Sequence, residues 1–170
     1  MKPIDKLNQI EKTFLGGEAG SFSNVPIRTI SFWAERGLID AATSGTGDRR
    51  RYTALQVIEI AIIKEMSKDI KNLRVIRKTL FYLRDGHKLK EYLEHDHAFI
   101  IIPAIEKKNP NKKAPRVLKA SSWCGIAWDD GKQISENKKI KIFRDVFNDD
   151  ANNTIIVNIS RIANGVLDKL

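Results

Sequence analysis

The chain has a single cysteine, Cys124, in 170 residues. A lone thiol has no disulfide partner within the chain and cannot by itself build a thiolate metal centre, so a reducing compartment, the cytoplasm, is expected. Histidine is scarce as well, with three residues. Two of them fall in Glu94-His-Asp-His97, where imidazoles and carboxylates alternate without a distant third ligand, so no metal is expected. Nor does any apolar run approach the roughly 20 residues that span a bilayer, and Met1-Lys-Pro-Ile-Asp-Lys6 lacks the apolar core of a signal peptide. Without a long basic amphipathic helix or a lipidation signal, a membrane surface is not the expected partner. Trp123-Cys124 has no orienting third group or oxyanion site beside it in sequence, so the chain is not expected to be an enzyme or to carry a cofactor.

What the chain has in excess is positive charge. Thirty Lys and Arg against 21 Asp and Glu give a formal charge of +9 and a pI near 9.7. The excess is spread evenly, with 15 basic and 10 acidic residues up to position 87 and 15 and 11 after it. Such a balance attracts polyanions, and with membranes set aside nucleic acid is the favoured one.

The first half reads as helices. Ile4, Leu7, Ile10, Phe14 and Leu15 are spaced to share a helical face, with Gly16-Gly17 weakening its far end. After a turn at Ser23-Asn24-Val25, Pro26 opens a second helix with Ile30 and Trp33 inward, and Gly37 ends it as the C′ residue. Thr53 is placed to cap an apolar helix to about Lys68, carrying Leu55, Val57, Ile58, Ala61, Ile62 and Met66. A last helix from about Asn72 to Arg84 turns Leu73, Ile76, Leu80 and Leu83 inward and Lys71, Arg74, Arg77 and Lys78 outward. Asp85-Gly86 closes it, and a short helix from Lys88 to Glu94 can follow.

The second half changes period. Residues 98–105, 116–128, 139–147 and 154–159 each read as strands, with an exposed Lys- and Pro-rich loop at 106–115. Ser160 can cap a terminal helix bearing Ile162, Ala163, Val166 and Leu167. The fold class expected is α+β, with a helical domain over 1–86 and a small β-rich domain over 87–170.

Within the first half, Arg28, Thr29 and Ser31 lie near the start of a helix whose Ile30 and Trp33 point inward, which is what major-groove reading requires. Farther on, Arg49, Arg50 and Arg51 follow the Gly-rich turn Ser44-Gly-Thr-Gly-Asp48. Three adjacent guanidiniums repel one another unless an anion neutralises them, and the Tyr52 hydroxyl adds a phosphate donor. In a β-wing, alternation sends Arg50 and Tyr52 to one face and Arg49 and Arg51 to the other.

From Phe14 to Leu83 the chain resembles the DNA-binding domain of the MerR family of bacterial transcription regulators. Val25, the aromatic pair Phe32-Trp33, Glu35-Arg-Gly-Leu-Ile39, Arg50-Arg-Tyr52 and the helix start at Thr53 follow one another in the family's order. Ser31 stands where the family usually has arginine, and Trp33 where it commonly has tyrosine. The resemblance implies a winged helix-turn-helix, binding of double-stranded DNA as a homodimer, and a cytoplasmic, nucleoid-associated regulator with an effector at its C-terminal half. Two alternatives stay open: an excisionase-like architectural protein, and a C-terminal protein- or ligand-binding domain that the DNA-binding half localises.

Overall fold

The computed structural model describes residues 1–41, 49–84, 88–95, 97–105, 119–120, 125–129 and 154–170. The chain opens with α1 (Pro3–Leu7), in which Pro3 sits at the start and the Asp5 carboxylate accepts the Lys2 amide at 3.1 Å. A short strand follows, β1 (Thr13–Leu15), then α2 (Gly16–Ser23) and α3 (Ile27–Glu35). Next come β2 (Arg51–Thr53), α4 (Ala54–Asp69), α5 (Leu73–Arg84) and α6 (Lys88–Tyr92).

Strand β1 corrects the expectation of one helix running from Ile4 to Leu15. The helix stops at Leu7, and Thr13–Leu15 pairs antiparallel with β2, with Phe14 opposite Tyr52. Burial over β1 alternates as a strand requires: Phe14 is buried and Leu15 is exposed. Gly16-Gly17 accordingly starts a helix rather than ending one, and Glu18 caps it by accepting the Leu15 amide at 2.7 Å. Pairing with a strand distant in sequence has overridden a local period of only a few residues.

Helix α4 is the axis of the molecule. Thr53 caps it as its sequence predicts, accepting the Gln56 amide at 3.3 Å while the Gln56 side chain accepts the Thr53 amide at 2.8 Å. Val57 through Ile63 and Met66 are all buried, so the middle of the helix is covered on every side. Helix α5 buries Ile76, Leu80 and Leu83, and Lys71, Arg74, Arg77 and Lys78 stay exposed.

The second half is built on one long strand, β3 (His97–Ile105). It pairs antiparallel with β5 (Gly125–Asp129) and β6 (Thr154–Asn158), and near its end with β4 (Lys119–Ala120). The strand and loop expected at 139–147 and 106–115 lie outside the described residues, as does the turn at Asp85-Gly86. Strand β6 runs directly into α7 (Ile159–Leu167). Asn158, not Ser160, caps this helix, accepting the Arg161 amide at 2.8 Å. Ser160 is instead buried and ties α7 to the sheet: its hydroxyl accepts the Ala98 amide at 2.8 Å and donates to the His95 carbonyl at 3.0 Å.

Helix α7 packs against α4 and α1. The Ile4 amide donates to the Leu93 carbonyl at 3.0 Å, and Lys6 pairs with Asp168 at 2.5 Å. The buried residues form one cluster from Leu7 through the helices of the first half to Ala98, Val157, Ala163 and Leu167.

Candidate nucleic-acid interface

Two short helices meet at a tight turn. Asn24 takes the left-handed conformation (φ 54°) at the end of α2, and the Val25 amide closes the turn on the Gly20 carbonyl at 2.9 Å. Gly20 is there for space, because a Cβ would stand 2.7 Å from the Val25 carbonyl oxygen. The Pro26 carbonyl then opens α3, accepting from both Thr29 and Ile30 at 2.9 and 3.1 Å. At the far end Gly37, with φ +65°, donates to Ala34 at 3.0 Å, and Leu38 donates to Trp33 at 2.9 Å. This is a Schellman closure, and Leu38 and Trp33 are both buried beneath it.

Ile30 and Trp33 anchor the inner side of α3. Steps of 100° put Arg28, Ser31, Phe32 and Glu35 on the opposite side, with Thr29 at its flank. Arg28 is exposed and Thr29 and Ser31 are half-buried, so the expected reading residues do come together on an accessible surface. Phe32, 42% exposed, lies among them with the Arg36 guanidinium 5.3 Å from its ring centre. A large exposed aromatic on a helix otherwise well anchored is a surface feature that the Phe32-Trp33 pair signalled in sequence but did not assign.

The arginine cluster divides into three environments. Arg49 is exposed. Arg50 is half-buried and hydrogen-bonds the Tyr52 side chain. Arg51 reaches across the β1–β2 pair, donating from Nε to the Thr13 hydroxyl at 2.7 Å and from a terminal nitrogen to the Thr13 carbonyl at 2.9 Å. Tyr52 is 1% exposed, opposite Phe14 in the core. Burial raises its phenol above the ordinary tyrosine range, partly offset by the attraction of Arg50 and their hydrogen bond. The expectation that the Tyr52 hydroxyl reaches phosphate is therefore corrected, since Tyr52 fills the core, and Arg51 braces the small sheet. The Gly-rich turn at 44–48 lies outside the described residues.

Sequence reasoning missed what holds the segment leaving α3. Arg84 donates to the Leu38 carbonyl at 2.7 Å, pairs with Glu59 at 2.9 Å and reaches Asp40 at 3.4 Å. Burial alone would lower the pKa of this guanidinium, but hydrogen bonding and attraction to Glu59, with help from Asp40, raise it above its ordinary value. Gln56 donates to the Asp40 carbonyl and Arg77 to the Arg36 carbonyl. Read as a surface charge from sequence, Arg77 thus caps α3. The one signal available was Glu59, a carboxylate in the middle of an apolar helix, which requires a partner. Of the expected outward row, Lys71 precedes α5 and caps α4 at the Lys68 carbonyl, 3.0 Å away, and Arg74 and Lys78 on α5 form no ion pair among the described residues.

The α2–α3 helix-turn-helix, the adjoining two-stranded sheet and the exposed Arg28 and Arg49 lie in one segment of the chain. Residues 17–82, from α2 almost to the end of α5, match the family described as MerR HTH family regulatory protein, which supports a MerR-family DNA-binding domain over that segment. Regulators of this family are in general non-enzymatic DNA-binding proteins. No curated protein matches the chain at a significant level. Among the described residues no helix is long and apolar enough to cross a membrane, and no group of three or more His, Cys, Asp and Glu is placed to hold a metal ion. Asp96 and Cys124 lie outside the described residues.

Proposed function

We propose that the chain is a sequence-specific transcription regulator that binds double-stranded DNA as a homodimer. Arg28, Thr29 and Ser31 on α3 read base edges in the major groove, and Arg49 and Arg50 hold the flanking backbone. The observation that carries this reading is the outer face of α3. It bears Arg28, Ser31 and Phe32 on a helix whose inner face, N-terminal turn and C-terminal carbonyls are all fixed by the rest of the fold. Such anchoring gives a reading helix the positional accuracy that base contacts need. Phe81 on α5, 67% exposed, is an apolar side chain that a second copy would cover.

The experiment is selection of bound genomic fragments followed by a salt series on the best site. Arg28→Ala is expected to cost about 1–3 kcal/mol of binding and to relax sequence preference. Arg49→Ala is expected to weaken all sequences alike and to reduce the salt slope by about 1. Binding unchanged by both substitutions would sink the reading, and sedimentation of the free protein reads the dimer separately.

A further inference from the structure

A cleft of about 600 Å³ lies between the end of α2, the outer side of α4 and α7. That volume falls in the range of small-molecule sites. Its apolar lining includes Phe22, Ala61, Ile162 and Val166, and four cations surround it, Lys64, Lys68, Arg161 and Lys169, against the single carboxylate of Glu65. Lys68 takes that carboxylate at 2.6 Å, and Lys169 donates to the Phe22 carbonyl at 3.2 Å. Lys64 and Arg161 form no ion pair among the described residues.

Cations along one helix are an ordinary solvated face. Here they come from α4, from α7 and from the residues just after α7, around one concavity, and like charges so gathered repel one another unless an anion sits between them. Gly165 adds a second mark. It lies on α7 at the cleft, and a Cβ there would meet nothing within 4 Å. The helix gives up propensity at a position where a side chain would enter the open space.

We propose that this cleft binds a small organic anion, with a carboxylate or phosphate held by Lys64 and Arg161 and an apolar body against Phe22 and Ile162. Ser23 and Asn24 also line it, and they form the turn that leads into α3. An occupant therefore touches the element that sets the reading helix, and binding at the two sites is coupled. The coupling rests on the DNA-binding reading, whereas the site itself does not.

The test uses the full chain and the fluorescent anion anilinonaphthalene sulfonate, in the absence of DNA, with neutral N-phenylnaphthylamine as comparison. One saturable site per chain is expected for the anion, with weaker binding of the neutral analogue. The double substitution Lys64→Gln/Arg161→Gln should weaken the anion by about tenfold or more. Gly165→Leu should abolish its binding by filling the cleft, with a melting temperature unchanged or raised. Anion binding that survives both variants, or equal affinity for the neutral analogue, overturns the proposal. So does a double variant that loses DNA affinity while no saturable probe site exists, because the cations would then be backbone contacts. Titrating DNA with and without the probe reads the coupling as a separate result.

Discussion

Gly20 and Gly17 are three residues apart on the same short helix, and the structure gives them opposite meanings. At Gly20 a methyl group would collide with the Val25 carbonyl oxygen at 2.7 Å, a backbone atom that cannot move without opening the turn. Gly20→Ala is therefore expected to destabilise the fold by about 1–3 kcal/mol. Nothing lies within 4 Å of a Cβ at Gly17, so Gly17→Ala should be neutral or stabilising by up to about 1 kcal/mol. Denaturant midpoints of the two variants check both signs. Tyr52 offers a test of another kind. Because its folded-state pKa is raised above 10.0, its contribution to stability is complete below pH 10.0 and is lost as the pH rises through the folded value, where the unfolded tyrosine has already released its proton. Stability should fall more steeply above that pH in the parent protein than in Tyr52→Phe, as urea midpoints across an alkaline series would show. The sequence disclosed that Arg50 and Tyr52 share a face. It did not disclose that Tyr52 is turned into the core, because alternation fixes which residues go together but not which of them is buried.

Among the elements, α3, α4 and α5 were legible almost to the residue, since each combines helical spacing with its own terminal signal: Pro26 and Gly37, Thr53, and the polar outer row of α5. Strand β1 was not, because three residues are too few for a period to show and their partner lies beyond Arg50. The terminal helix was found but its cap was misplaced, as Ser160 is needed inside to satisfy the Ala98 amide. Harder still to see was the tie between elements made by Arg84. Replacing it with methionine would leave Glu59, 5% exposed, as an unpaired buried charge and should cost about 3–5 kcal/mol. Adding Glu59→Gln should restore much of that loss. A double-mutant cycle on unfolding free energy measures the difference, and additive losses would show that the pair does not act as one.

At the scale of the molecule the two halves share packing. Helix α7 lies on α4, and residues from both halves enter one buried cluster. Ala163 is fully buried in that contact, so Ala163→Asp is expected to cost about 3 kcal/mol or more. It should lower the unfolding midpoint read by DNA binding as much as that read by circular dichroism. Separate transitions would mean that the halves fold independently. The sequence could not announce this packing: the run 57–63 is buried all round the helix, which says that α4 is covered there without saying by what.

That covering also has a consequence in time. Helix α7 leaves the ribosome only after the 89 residues, 70–158, that separate it from α4, so one side of α4 stays bare during much of synthesis. A nascent chain paused before residue 159 would leave bare the side of α4 that α7 covers in the folded protein.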